Sequence, residues 1–69
     1  MDDPIWEILD HQGRSLKWLA RRTGYSYAHV KGVAAGQARI TPEFRERCAE
    51  AFDVPLSRVT PIPIEERSA

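Results

Sequence analysis

Arg14, Lys17, Arg21, Arg22, Lys31 and Arg39 lie between Gly13 and Arg39, and no acidic residue lies among them. Such a block suits a polyanion, because ammonium and guanidinium groups displace counterions from phosphates. Net charge over the whole chain is zero, from 10 basic and 10 acidic residues. The distribution matters more than the total. A ligand senses charge over about one Debye length, ~10 Å at 0.1 M salt. Residues 1–12 carry Asp2, Asp3, Glu7 and Asp10 without a Lys or Arg, and residues 40–69 carry four Arg against six acids. A basic block therefore sits between two acidic ones.

Other chemistries find little support. His11, His29 and the single Cys48 lack metal-ligand spacing, and no Gly-rich phosphate loop or Ser/His/acid set occurs. The expectation is a non-enzyme with no metal and no cofactor. At 69 residues the chain is one domain at most. Below roughly 70–80 residues a core supplies about 3–5 kcal/mol, which favours work at the surface over a deep pocket. One cysteine forms no internal disulfide, no apolar run approaches the ~20 residues of a membrane span, and the acidic N-terminus is unlike a signal peptide. These features predict a cytoplasmic protein.

The elements that must position the basic block can be read from caps and periodicity. Asp3-Pro4 starts a helix at about residues 4–12, with Ile5, Ile8 and Leu9 inward and Gly13 as its stop. Ser15 caps a second helix, with Leu16, Leu19 and Ala20 buried and Gly24 at its end. Ser26 caps a third, with Val30 and Val33 inward and Gly36 as its stop. Thr41-Pro42-Glu43 opens a fourth, whose apolar face is Phe44, Cys48, Ala51 and Phe52. Glu43 and Arg47 are spaced to pair on its outer face. "PLSRV" predicts a short fifth helix, and residues 60–69, interrupted by Pro61 and Pro63, predict an extended arm. Trp6, Trp18 and Cys48 read as packing residues, and His11 as a structural side chain whose place near a helix C-terminus suits the helix dipole. The fold class is all-α, with residues 1–59 as the domain.

Two of these helices are joined by a turn of three residues, the helix-turn-helix arrangement. Ala20 is small where two backbones approach. Gly24 follows four residues later where positive φ is expected, and Val30 pins the third helix.

The stretch "SLKWLARRTGYSYAHVKGVAAGQARITPEFRERCAEAFDVP" resembles phage repressor and Cro-like (XRE-type) helix-turn-helix domains, and the resemblance spans roughly residues 5–59. It implies a five-helix, lambda-repressor-like fold with the motif at 16–35. It also implies a dimeric, sequence-specific regulator of double-stranded DNA, a nucleoid-associated repressor of transcription, with the third helix (about 27–35) in the major groove. By position, the residues facing bases would be Tyr27, Ala28, His29, Lys31 and Gly32. Those facing phosphates would be Arg14, Lys17, Tyr25 and Arg39. Lys31 suits guanine O6 and N7, Ala28 a thymine methyl, and Tyr27 either a base or a phosphate. Leu16 stands where members usually carry a phosphate-holding Gln, and Ala34 and Ala35 replace the usual polar residues. Two rival readings keep the fold but change the partner: a protein-interaction module, or an antitoxin whose arm 60–69 holds a protein. Leu56 and Val59, or Ile62 and Ile64 in the arm, would supply a dimer contact.

Overall fold

The computed structural model describes residues 3–61. It is compact and all-helical: α1 is Pro4–His11, α2 Leu16–Thr23, α3 Tyr27–Ala34 and α4 Pro42–Phe52, followed by a 3-10 turn at Leu56–Val59. No strand occurs among the described residues, and no helix there is long and apolar enough to cross a membrane. Thr60 is extended, while the rest of the predicted arm beyond Pro61 lies outside the described residues, as do Ile62 and Ile64.

Each α-helix begins with the expected cap. The side chains of Asp3, Ser15, Ser26 and Thr41 accept from the amides of Ile5, Trp18, His29 and Phe44, each at 3.1 Å. Such a cap contributes about 1 kcal/mol by satisfying an amide that has no partner within the helix. The stops are local as well. Gly24 ends α2 at φ +86, its amide bonded to the Ala20 carbonyl, a left-handed step that costs glycine little. Asp53 performs the same task after α4 at φ 59, and the Val54 amide reaches back to the Ala49 carbonyl.

The predicted fifth helix is instead a single 3-10 turn of four residues. Pro55 precedes it without a capping side chain, Pro61 follows closely, and the Val59 carbonyl is taken by Arg45 rather than by a further turn. Val59 is fully buried and therefore forms core rather than an outward contact; Leu56 remains 47% exposed.

Helix α4 is the spine. Its inner face, Phe44, Cys48, Ala51 and Phe52, forms one buried cluster with Ile5, Trp6 and Leu9 of α1, Leu19 and Ala20 of α2, Val30 and Val33 of α3, and Val59. Ile8 and Leu16 pack at the margin, half-buried. Two aromatic contacts tie the layers together. Trp6 meets Phe44 at 6.4 Å, and Trp18 stacks on Phe52 at 6.0 Å. Cys48 is wholly enclosed, and burial, the dominant cause, pushes its thiol up to about 12. Arg45 opposes that rise and Asp3 adds to it. At neutral pH such a thiol is neither nucleophile nor metal ligand.

Candidate nucleic-acid interface

The turn between α2 and α3 is Gly24-Tyr25-Ser26, and α4 holds it from beneath. Arg47 donates through Nη1 to the Thr23 carbonyl at 3.0 Å, pairs with Glu43 at 3.2 Å and sets its guanidinium 5.4 Å from the Tyr25 ring centre. A cation at the carbonyl end of α2 is favourable with respect to the helix dipole. Tyr25 lies on Phe44 at 5.2 Å, and His29 leans on Tyr25 at 5.0 Å and on Phe44 at 6.1 Å. Thr23, buried in the same corner, returns its hydroxyl to the Leu19 carbonyl at 2.7 Å. The angle between α2 and α3 is thus set by packing against α4.

On the outer side of this corner three of the expected residues converge. Tyr27, the first residue of α3, is 41% exposed. Lys17 Nζ, from the first turn of α2, stands 5.6 Å from its ring centre, and Lys31 Nζ, one turn further along α3, stands 6.0 Å from it. Each contact is a cation–π interaction of about 0.5–1 kcal/mol at an exposed site. They give two flexible ammonium groups a common resting place while leaving both in water.

No family model, curated protein or solved structure matches the chain. The site must therefore be read from its own geometry.

At 100° per residue, Ala28, Lys31, Gly32 and Ala35 share one face of α3. Ala28, Lys31 and Ala35 are exposed and Gly32 is half-exposed. A Cβ built on Gly32 would meet only Gln37 Oε1, at 3.9 Å. Apart from Lys31, that face is low and smooth, so a ligand can approach the backbone closely. The six cations of residues 13–39 form no ion pair with any described residue; the ion pairs found use Arg45 and Arg47. Their charge is available to a ligand.

The other expected residues are more scattered. Tyr25 is half-buried and its ring is committed to Phe44 and Arg47. His29 is exposed but directed toward Tyr25, on the flank opposite Tyr27. Arg14 sits over Trp18 at 4.8 Å, sharing that ring with Arg22 at 5.8 Å, and so lies round α2 from Lys17. Arg39 is exposed in the loop before α4. Sequence reasoning overlooked the tie from Arg47 to α2. It joins residues 24 positions apart, and no local pattern encodes it. The stacking of Arg14 and Arg22 on Trp18 was not read either: the Trp18–Arg22 half follows from four-residue spacing within α2, whereas Arg14 lies before the Ser15 cap, outside the helix.

Proposed function

We propose that this chain binds duplex DNA through α2 and α3, as a sequence-specific, dimeric regulator that represses transcription. The observation that carries the proposal is the convergence of Lys17 and Lys31 on Tyr27, beside a face of α3 low enough to enter a groove. The resemblance to repressor and Cro-like domains, with its five-element, lambda-repressor-like arrangement, supports the same reading. In this mechanism α3 enters the major groove N-terminus first. Lys31 donates to guanine O6 and N7, and Ala28 meets a thymine methyl. Lys17 and the first free amides of α2 hold a phosphate and set the register. Tyr27 gathers the two ammonium groups at its ring and adds its hydroxyl to the backbone contact. Arg39 reaches a neighbouring phosphate from the loop.

The test is a titration of labelled, mixed-sequence duplex at about 50 mM and about 200 mM salt. A protein that neutralises four phosphates loses about 10²-fold in affinity over that range, from a non-specific Kd near 10⁻⁴–10⁻⁶ M at physiological salt. Absent or salt-insensitive binding would reject DNA as the ligand and turn attention to a protein partner, including the antitoxin reading.

Gly32 supplies a second check. Gly32→Ala is expected to stabilise the fold by about 0.5–1 kcal/mol, because alanine is the better helix former and the space is open. The same methyl stands on the groove-facing surface and should weaken DNA binding. A variant with a raised melting temperature and unchanged affinity would remove Gly32 from the interface.

A further inference from the structure

The chain holds two side-chain carboxamides, Gln12 and Gln37, and no asparagine. Gln12 commits its amide to the Phe52 carbonyl, 3.4 Å away. Gln37 is exposed, and its side chain bonds to no described residue. The stop of α3 fixes its place. Gly36 turns left-handed at φ +82, its N–H donates to the Val33 carbonyl at 3.1 Å, and the Gln37 N–H reaches back to the Gly32 carbonyl at 2.8 Å. In this kind of stop the two residues joined by the last bond commonly make an apolar contact as well. Here they are a glutamine and a glycine. The Gln37 side chain lies instead beside the bare Gly32 backbone, its Oε1 3.9 Å from where a Cβ would stand. A residue outside α3 thus brings a polar group to the one place on the helix where position 32 has no side chain.

That place lies on the face that the DNA reading turns toward the bases. Gly32 shares it with Ala28, Lys31 and Ala35, and Lys31 alone of the four has a side chain that forms hydrogen bonds. An ammonium group only donates, which suits guanine O6 and N7 but leaves adenine half-matched. A carboxamide presents a donor and an acceptor in one plane, the pattern that adenine N7 and N6 require. We infer that Gln37 is a base-reading residue: Nε2 donates to adenine N7 and Oε1 accepts from adenine N6, in the half-site whose guanine Lys31 contacts. This role rests on the proposed binding of duplex DNA by α3, and it names a base that the bound sequence must contain. The 2.8 Å bond to Gly32 ties the Gln37 backbone to the helix, so the amide travels with α3 and not with the loop that follows.

Selection from a random duplex library by the full chain, repeated with Gln37→Ala and Gln37→Glu, tests it. Neither variant removes the backbone bond to Gly32, and circular dichroism should show both folded. Should either unfold, Gln37→Met keeps the length and loses only the amide. Wild type should select an A·T pair at one position of each half-site. Gln37→Ala should lose the preference at that position alone and bind the selected site about tenfold more weakly, with affinity for mixed-sequence duplex within about twofold of wild type. A neutral amide displaces no counterion, so the salt dependence should not change. A glutamate has no donor and accepts from cytosine N4, so Gln37→Glu should exchange A·T for C·G at that position and leave the rest of the site as it was. The outcomes separate the two proposals. A wild type that binds no duplex rejects both. A wild type that binds duplex but has no A·T preference that Gln37→Ala abolishes leaves DNA binding in place and overturns the role of Gln37. A Gln37→Ala loss that is equal on selected and mixed DNA also overturns it, because it marks a backbone contact.

Discussion

Replacing both Lys17 and Lys31 with Glu is expected to lower affinity for mixed-sequence duplex by about 10³-fold at low salt while leaving the fold intact. The two ammonium groups stand within 6.0 Å of one tyrosine ring centre and form no ion pair among the described residues, so both are available to phosphate. Reversal removes two favourable contacts and adds two repulsive charges at the same spot. The single neutral variants separate the roles. Lys17→Ala should weaken binding about equally for all sequences and reduce the slope of log affinity against log salt by about one. Lys31→Ala should cost about 1–3 kcal/mol on a selected site, with a smaller loss on mixed DNA, because it removes a base contact. Both side chains are exposed, so the melting point should fall only by the loss of the contacts to Tyr27, under about 1 kcal/mol each. If the double reversal binds as well as wild type, the α2–α3 corner is not the DNA surface.

What was legible in the sequence is what short-range chemistry decides. A Ser, Thr or Asp oxygen reaches an amide two or three residues along, so Asp3, Ser15, Ser26 and Thr41 announce their helices in any fold. The stop at Gly24 is equally local, whereas Asp53 takes a left-handed conformation that glycine more often marks and gave no such sign. Apolar periodicity identified the inner face of α4 but not the environment of Val59. Its side chain joins the core cluster on α4, and Arg45, 14 positions earlier, holds its carbonyl there, neither of which local periodicity encodes. The candidate site divides in the same way. Lys31 lies one turn after Tyr27 on the same helix, so their meeting follows from helical spacing. Lys17 joins them only because the α2–α3 turn is bent to one angle, and that angle depends on Tyr25, Phe44 and Arg47. The resemblance placed Tyr25 among the phosphate-facing residues and His29 among the base-facing ones; Tyr25 is half-buried against Phe44, while His29 leans on Tyr25 and Phe44 and stays exposed.

Arg45→Met should be the most damaging substitution of a charged residue in the described chain, costing about 2–4 kcal/mol. Its guanidinium makes a two-pronged pair with Asp3, Nη1 to Oδ1 at 3.0 Å and Nη2 to Oδ2 at 2.8 Å, and Nη1 also donates to the Val59 carbonyl at 2.7 Å. Both charged groups are largely shielded, with side-chain exposures of 19% and 17%. Charge-assisted bonds contribute more in such a setting than at the surface, and removing one partner leaves the other charge and a carbonyl without compensation. The same Asp3 oxygen that Arg45 holds also caps α1 through the Ile5 amide. One side chain therefore secures the start of α1 and the 3-10 turn to α4, the helix that supports the α2–α3 corner from below. Asp3→Asn separates these contributions. It keeps a good cap but removes the charge, and should cost about 1–2 kcal/mol, less than Arg45→Met because Val59 stays bound. Against the roughly 3–5 kcal/mol available to a core of this size, the arginine variant should be substantially unfolded at 37 °C. At 10 °C, where enough of it remains folded to assay, its DNA affinity per folded molecule should match wild type. Urea denaturation of the two variants and the double mutant gives the coupling energy directly. A coupling below about 0.5 kcal/mol would reduce the Arg45–Asp3 pair to an ordinary surface contact, and the fastening of α1 would then have to come from Ile5, Trp6 and Leu9 and from the Gln12 side chain at the Phe52 carbonyl.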